Sequence, residues 1–483
     1  MALGLALRLY AFGGLEFALG ADDARYAAVA QNLAHGMLPD GEAEWFGARA
    51  AFLWPVALLF RIAGADDYSA VAWPLACSLL CILATFLVAR ELAARRPALV
   101  AAGIVAVAPL EVLWATRLRP DAVMPLFIAL GVWAALRARR ADLRAVPWWL
   151  GGSGLAIGVA WSAREVALVM LPVVVMAAWP ALRMAWARVG AVLAGLAIVP
   201  LALMAVFALD GRPLWPLTAT AGAGSFRSPV EGWGATTAYI TQLVTQAIDP
   251  RSPLLLALPL VLVAIAVAIR RRCSAAILPA AWLAWGAVYL EFGTLLSVDK
   301  PVRFLTLLTI PAALLIAIAL DGRLSPLLVP AIAIGTVLVA QPRINGGTRD
   351  HNVVLVSEVT GVLREMPPGQ VLAADYTWWA KLNTFLARDR LTVRRDVDPA
   401  YLDEAKRAQA RRLEPLPDPA SYRGGYIVTG PITPTRGWPS NWGVVERAVE
   451  RMSAGADLQP VARVGDATIW RWTPRPVTYR APR

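Results

Sequence analysis

The chain has 483 residues, 58% of them hydrophobic and only 17% charged, with a mean hydropathy of +0.55. So much apolar surface cannot be hidden in a water-soluble fold, so hydrocarbon must solvate part of it and a wholly soluble protein is excluded. The formal net charge of +12 comes mostly from Arg scattered through short loops between apolar runs, where anionic lipid and topology explain it, and nucleic acid is not an expected partner.

In chain order, apolar runs fall at 3–19, 69–89, 98–115, 121–136, 148–163, 165–182, 189–208, 252–269, 275–296, 303–320 and 326–340. Each nears the length a bilayer core requires, which predicts about eleven membrane helices. The first is thin, because Arg8 interrupts it and Gly13 and Gly14 weaken it. Arg90, Arg95 and Arg96, then Arg137, Arg139, Arg140 and Arg144, then Arg183 and Arg188, then Arg270, Arg271 and Arg272, and finally Arg323 all fall in alternate loops. That side is predicted to be cytoplasmic, which puts 20–68, 116–120, 209–251, 297–302 and everything after 341 outside.

Two "GADD" tetrapeptides stand beside these runs, ending at Asp23 and Asp67. The second is followed at once by Tyr68, Ser69 and a spanning run, so Asp66 or Asp67 belongs at a helix N-cap. The first leads into a stretch too polar to span at its start and too apolar for a free loop, which reads as two interfacial helices. If 22–33 is helical, Asp22, Arg25 and Tyr26 share one face at i, i+3 and i+4, and Asp23 points about 100° away from Asp22. Helix capping with a surface ion pair explains the same spacing. Arg49, Arg117, Arg119, Asp121, Arg164, Glu165, Lys300 and Arg303 gather near the same outer surface. Charges are costly beside hydrocarbon, so a collection at helix ends suggests a site, with snorkelling to the headgroups as the rival for each.

The tail after Pro342 changes character. Its apolar stretches shorten to "QVLAAD", "LTVRR", "GYIVTG" and "ATIWRW", alternating with helical patterns near 353–364, 399–412 and 443–452, as in a small α/β domain. It has one histidine, His351, no glycine-rich phosphate loop and no metal-ligand pattern. The three cysteines, Cys77, Cys81 and Cys273, lie in or beside apolar runs and suggest neither disulfides nor a zinc site. No repeat, low-complexity tract or cleavable signal peptide is read.

"DDARYAAVAQNLAHG" resembles the D-E-x-x-Y or D-E-x-R-Y signature of the GT-C glycosyltransferases, and most of all their aminoarabinose transferase and dolichyl-phosphate-mannose-protein mannosyltransferase branch. The resemblance implies that Asp22 is the essential carboxylate, with Asp23 in place of the usual Glu and Arg25 and Tyr26 at the R-Y positions. "GARAAFLWPVALLFRIAGADD" is similar to the second juxtamembrane stretch, which makes Arg49 a phosphate-facing cation with a one-residue gap. "ATRLRPDAVMPLF" resembles the turn carrying a second acid, here Asp121. "GVAWSAREVALVMLP" is similar to a turn whose cation would be Arg164, and "DKPVRFLTLLTIPAALL" to the start of a late helix, with Phe304 where Tyr is common. The likeness covers about residues 5 to 320, and the tail matches only as a generic α/β module.

The implied architecture is an all-α membrane domain over 1–340, with an extracytoplasmic juxtamembrane catalytic loop at 20–68, and an extracytoplasmic α/β domain over 341–483. The implied activity is transfer of a sugar from a polyprenyl-phosphate donor to an acceptor hydroxyl on a lipid, glycan or protein, with inversion, outside the inner membrane. An anionic phosphate is already a good leaving group, so cations and a base suffice. Arg25, Arg49, Arg117, Arg164, Lys300 or Arg303 would hold the phosphate, Tyr26 would line the substrate site, and Asp22, with Asp23 and Asp121 beside it, would supply the carboxylate chemistry. A divalent ion held by Asp22 or Asp23 is compatible with this pattern and not required by it. The rival class is a transporter or flippase for a lipid-linked precursor, for which internal repeats and paired broken helices would be expected, and a non-catalytic binder on the same fold is the third reading.

Overall fold

The computed structural model describes residues 1–12, 21–39, 47–182, 186–222, 257–293, 302–320, 325–347, 351–367, 370–373, 393–395, 425–429 and 456–474. The predicted helical patterns at 399–412 and 443–452, and residues 13–20 of the first run, lie outside them.

Helices α1 (Ala2–Phe12), α2 (Ala21–Ala34) and α3 (Ala50–Ala63) open the chain. Helix α4 (Asp67–Leu92) begins at the second "GADD", as predicted. Asp66 is its N-cap, accepting from Ser69 N at 2.7 Å while the Ser69 side chain takes the Asp66 N–H at 3.0 Å, a reciprocal capping box. The run at 98–115 is not one helix. It divides into α5 (Arg95–Val107) and α6 (Pro109–Trp114) because Pro109 supplies no N–H and holds Ala108 at ψ 125°, outside the helical region.

Then come α7 (Val123–Ala138), α8 (Val146–Ala163), α9 (Leu171–Leu182), α10 (Trp186–Ala208) and α11 (Trp215–Gly222), followed after the undescribed 223–256 by α12 (Ala257–Arg270), α13 (Ile277–Val288), α14 (Thr309–Ala319) and α15 (Ser325–Gly347). Among the described residues three stretches are by themselves long and apolar enough to cross a membrane: Tyr68–Leu92, Glu165–Leu182 and Trp186–Ala208. Several other predicted runs are helical but shortened, since their outer ends tighten or loosen. A π-helical turn, Tyr289–Gly293, follows α13, and a 3₁₀ segment, Val302–Leu308, precedes α14. One continuous apolar core runs through α3, α4, α5, α7, α8, α9 and α14.

Helices α8 and α10 meet backbone to backbone. A Cβ on Gly154 would lie 2.0 Å from the Val192 carbonyl oxygen, and one on Gly195 would lie 2.0 Å from that of Gly151. Small residues let helices approach so closely where lipid gives no hydrophobic drive for association. Gly154→Val or Gly195→Val is therefore expected to destabilise the fold by about 3 kcal/mol, since rigid backbone must move. Thermal unfolding of purified variants in detergent checks this, with Gly152→Val as the control because nothing lies within 4 Å of a Cβ there.

In the tail, α16 (His351–Glu365) packs on a five-stranded mixed sheet of order β2-β1-β3-β5-β4. Strands β1 (Gln370–Ala373), β2 (Val393–Arg395), β3 (Gly425–Thr429) and β5 (Ala467–Pro474) fall where the sequence predicts them. Strand β1 pairs parallel with β2 and β3, whereas β5 pairs antiparallel with β3 and with β4 (Ala456–Val464). Leu355, Val359 and Leu363 of α16 bury against Tyr426, Val428 and Ile469, and Ile427 and Trp472 fill the other face.

Candidate active site

The site is built at helix ends. On α2 the buried residues among those described are Asp23, Tyr26, Ala27, Val29, Ala30 and Gln31, of which Asp23, Tyr26, Ala27 and Ala30 form one stripe at i, i+3, i+4 and i+7. Asp23 thus shares the inward face with Tyr26. By helical position Asp22, about 100° round from Asp23, falls on the other flank of Tyr26. Tyr26 meets Phe52 of α3 edge-on, with ring centroids 5.0 Å apart and planes at 89°.

Helix α6 ends at Trp114, and the turn that follows carries Arg117, Arg119 and Asp121. Arg119 donates from Nε to Asp23 Oδ1 at 2.5 Å, with its guanidinium carbon 5.6 Å from the Trp114 ring centroid. Asp121 is only 2% exposed and accepts from Arg164 Nη1 at 2.7 Å. Arg164 stands where α8 stops: its backbone is extended, at φ −160° and ψ 127°, before the 3₁₀ turn Glu165–Met170. Its guanidinium lies 4.0 Å from the centroid of Phe304. Glu165 in turn pairs with Arg49, Oε2 to Nη2 at 3.6 Å, and Arg49, just before α3, lies 5.5 Å from the Tyr26 ring centroid.

These contacts close on themselves. Asp23 holds Arg119; Asp121, two residues on, holds Arg164; the adjacent Glu165 holds Arg49; Arg49 covers Tyr26, one helical turn from Asp23. Three guanidiniums and three carboxylates cancel in formal charge, and all but Glu165 are buried. Buried guanidiniums persist only when paired or hydrogen-bonded, so the carboxylates hold them in place. Yet Arg164 Nε remains buried with no hydrogen-bond partner among the described residues. A cation held by one nitrogen and buried at another has a donor left for an anion.

Beside the ring lies an apolar groove of about 370 Å³, walled by Leu110, Val261, Leu305, Leu308, Thr309 and Ile316 among others. Leu110 and Leu305 belong to the small cluster that also takes in Trp114 and Phe304. Those are the rings under Arg119 and Arg164, so one apolar cluster joins the groove wall to the charged ring.

Of the residues predicted from sequence, Asp23, Tyr26, Arg49, Asp121 and Arg164 come together, and Arg117 lies half-buried in the same turn. The backbones of Asp22 and Arg25 belong to α2 and that of Arg303 to the segment before α14, but their side chains lie outside the described residues, as does Lys300 altogether. The sequence marked Arg119 and Glu165 only as charges near the outer surface. Their ion pairs join segments 96 and 116 positions apart in sequence, a distance no local spacing reveals. Glu291, buried in the π-helical turn, carries no sequence signal at all. No group of three or more His, Cys, Asp or Glu able to hold a metal occurs among the described residues, and Asp23 Oδ1 is occupied by Arg119.

The family described as dolichyl-phosphate-mannose-protein mannosyltransferase matches this sequence over residues 50–207. Comparison with curated proteins gives no match. Among solved structures, ArnT from Cupriavidus metallidurans bound to undecaprenyl phosphate is similar, with 16% identity, 97% of each chain covered and a TM-score of 0.64. The oligosaccharyltransferase of Archaeoglobus fulgidus, in complex with Zn and sulfate, matches with 12% identity over 89% of this chain and 67% of that one, at a TM-score of 0.49. The chain therefore shares the fold of ArnT, and its residues 50–207 match the mannosyltransferase family, both in the direction the motifs implied.

Proposed function

We propose that this chain is an inverting glycosyltransferase that moves a sugar from a polyprenyl-phosphate donor to an acceptor hydroxyl on a lipid, glycan or protein, outside the inner membrane. The observation that carries this reading is the closed ring of buried Arg–carboxylate pairs at the end of an apolar groove. A polyprenyl tail suits the groove and a phosphate suits the Arg164 guanidinium, whose buried Nε has no partner among the described residues.

In this reaction the acceptor oxygen attacks the anomeric carbon while Asp22 takes its proton. The bond from that carbon to the phosphate oxygen breaks, and the electron pair leaves on polyprenyl phosphate. Arg49 and Arg164 stabilise the growing phosphate charge from a site with little water, where such stabilisation is strongest. The three ion pairs of the ring already cancel, so the donor's negative charge calls for further cations, a role that suits Arg25, Arg117, Lys300 and Arg303. Asp23, bound to Arg119, orients α2 rather than serving as the base. Tyr26, between Arg49 and Phe52, forms the floor of the acceptor and sugar site. No step needs a metal ion.

Two measurements test this. Mass spectrometry of the purified protein is expected to find a copurifying polyprenyl phosphate or its glycosylated form, and turnover with such a donor is expected to give a product of inverted anomeric configuration. Binding without turnover would favour a flippase or non-catalytic binder instead. For orientation, a cysteine replacing Gly232 or Gly437 is expected to react with an impermeant reagent from outside and one replacing Ala141 is not. Labelling at Ala141 alone would reverse the topology.

A further inference from the structure

Pro109 divides an apolar run that would otherwise make one helix, and the division leaves polar backbone inside the bundle. Pro109 has no N–H and Ala108 turns out of the helical region, so the last carbonyls of α5 lose the donors a continuing helix would bring them. In hydrocarbon such groups must find partners within the protein, and side chains of neighbouring helices supply them. Two of these carbonyls find theirs on two different helices. Arg8 of α1 donates from Nη1 to Ala106 O at 2.9 Å, and Thr336 of α15 donates from Oγ1 to Val107 O. Arg8 is 0% exposed and Thr336 1%.

Each donor is itself held. Arg8 Nε donates to Ser78 Oγ of α4 at 2.9 Å, and Nη1 also donates to Gly4 O of its own helix at 3.0 Å. Thr336 Oγ1 lies 2.9 Å from Ile332 O, one turn earlier on α15. An arginine inside a membrane bundle is expensive and needs a reason. None of the proposed chemistry uses Arg8 or Thr336. The place of the corner between α5 and α6 supplies the reason. Helix α6 is only six residues long, so the turn carrying Arg117, Arg119 and Asp121 stands about two helical turns beyond the corner. Helix α6 also touches α1, α15 and the 3₁₀ segment 302–308, and Ala108, Pro109 and Leu110 wall the apolar groove. The angle at which α6 leaves α5 thus aims the turn that feeds the charged ring.

We propose that Arg8 and Thr336 are positioning residues that fix this corner from two neighbouring helices, so that α6 delivers Arg119 to Asp23 and Asp121 to Arg164. Without either donor a buried carbonyl is left unsatisfied, and the corner shifts to relieve it while the apolar contacts of the bundle remain. The effect on turnover rests on the transferase reading above; the effect on the corner does not.

The test is hydrogen exchange by mass spectrometry on the full-length protein in lipid nanodiscs, read alongside kinetics. Thr336→Val keeps the size of the side chain and removes its donor, whereas Thr336→Ser keeps the donor. Thr336→Val is expected to speed exchange in peptides covering 108–122 while leaving α8 and α10 unchanged, and Thr336→Ser is expected to exchange as the parent does. Turnover of Thr336→Val should fall about 10- to 100-fold, up to the scale of a misplacement near 1 Å, and Thr336→Ser should restore it. If Thr336→Val does not fold, Ser78→Ala, which releases Arg8 Nε, is expected to show the same local exchange more weakly. Unchanged or slower exchange over 108–122, in whichever variant folds, overturns the proposal whatever the turnover. Faster exchange throughout, α8 and α10 included, overturns it too, as general destabilisation, and so does a Thr336→Ser variant that behaves like Thr336→Val. Local exchange with full turnover leaves the corner without a positioning role and also overturns it. Faster exchange confined to 108–122, in a protein whose parent transfers no sugar from any polyprenyl-phosphate donor, sinks the transferase reading and leaves the corner standing.

Discussion

Asp22→Asn is expected to keep the fold and lose turnover by roughly two to four orders of magnitude, the scale for removing a general base. Asp22 is the second residue of α2, where a carboxylate gains at most about 1 kcal/mol from the helix dipole and Asn still serves the first turn. Its neighbour behaves differently: Asp23→Asn weakens the bond from Arg119 and should lower both stability and turnover. The second acidic pair is the control. Asp66 caps α4 through Ser69, so Asp66→Asn should change neither property, and Asp66→Ala should cost about 1 kcal/mol of stability with turnover intact. Purified variants with matched melting curves, assayed for transfer from a polyprenyl-phosphate sugar, decide the point. Near-normal transfer by Asp22→Asn would move the base to another carboxylate.

What was legible in the sequence follows from how local each signal is. Asp66 could be read as a cap because an N-cap is decided within four residues, and β1, β2, β3 and β5 could be read because each is a short apolar run between turn residues. Strand β4 was not read. Pro460 breaks its alternation, and it is tolerated because β4 is an edge strand with an irregularity between Pro460 and Ala462. The break at Pro109 inside an apolar run was there to be seen, but composition outweighed it. The charged ring was half-legible. Motif resemblance pointed to Asp23, Tyr26, Arg49, Asp121 and Arg164, yet which carboxylate holds which guanidinium depends on contacts 43 to 116 positions apart in sequence. Arg8 is the clearest case. In sequence it is a flaw in a membrane helix, and only the hydrogen bonds to Ser78 of α4 and Ala106 of α5 turn it into a feature.

The Asp121–Arg164 pair separates architecture from chemistry. Both partners are buried and bonded at 2.7 Å, so Asp121→Leu alone strands a guanidinium and Arg164→Leu alone strands a carboxylate. Each single variant is expected to cost about 3–5 kcal/mol of stability. Removing both charges at once leaves nothing uncompensated, so Asp121→Leu/Arg164→Leu should recover most of that loss, since apolar replacement of a whole buried pair is often neutral. Turnover should not recover with it. The double variant still lacks the guanidinium over Phe304, whose buried Nε has no hydrogen-bond partner among the described residues, and so lacks a cation proposed for the donor phosphate. Loss of one charge-assisted contact predicts a fall of about 10- to 100-fold in kcat/KM for the lipid-phosphate donor. Melting curves and donor kinetics on the two single variants and the double variant complete the cycle. If the double variant regains both stability and donor use, the pair is a strut only, and the phosphate is held elsewhere.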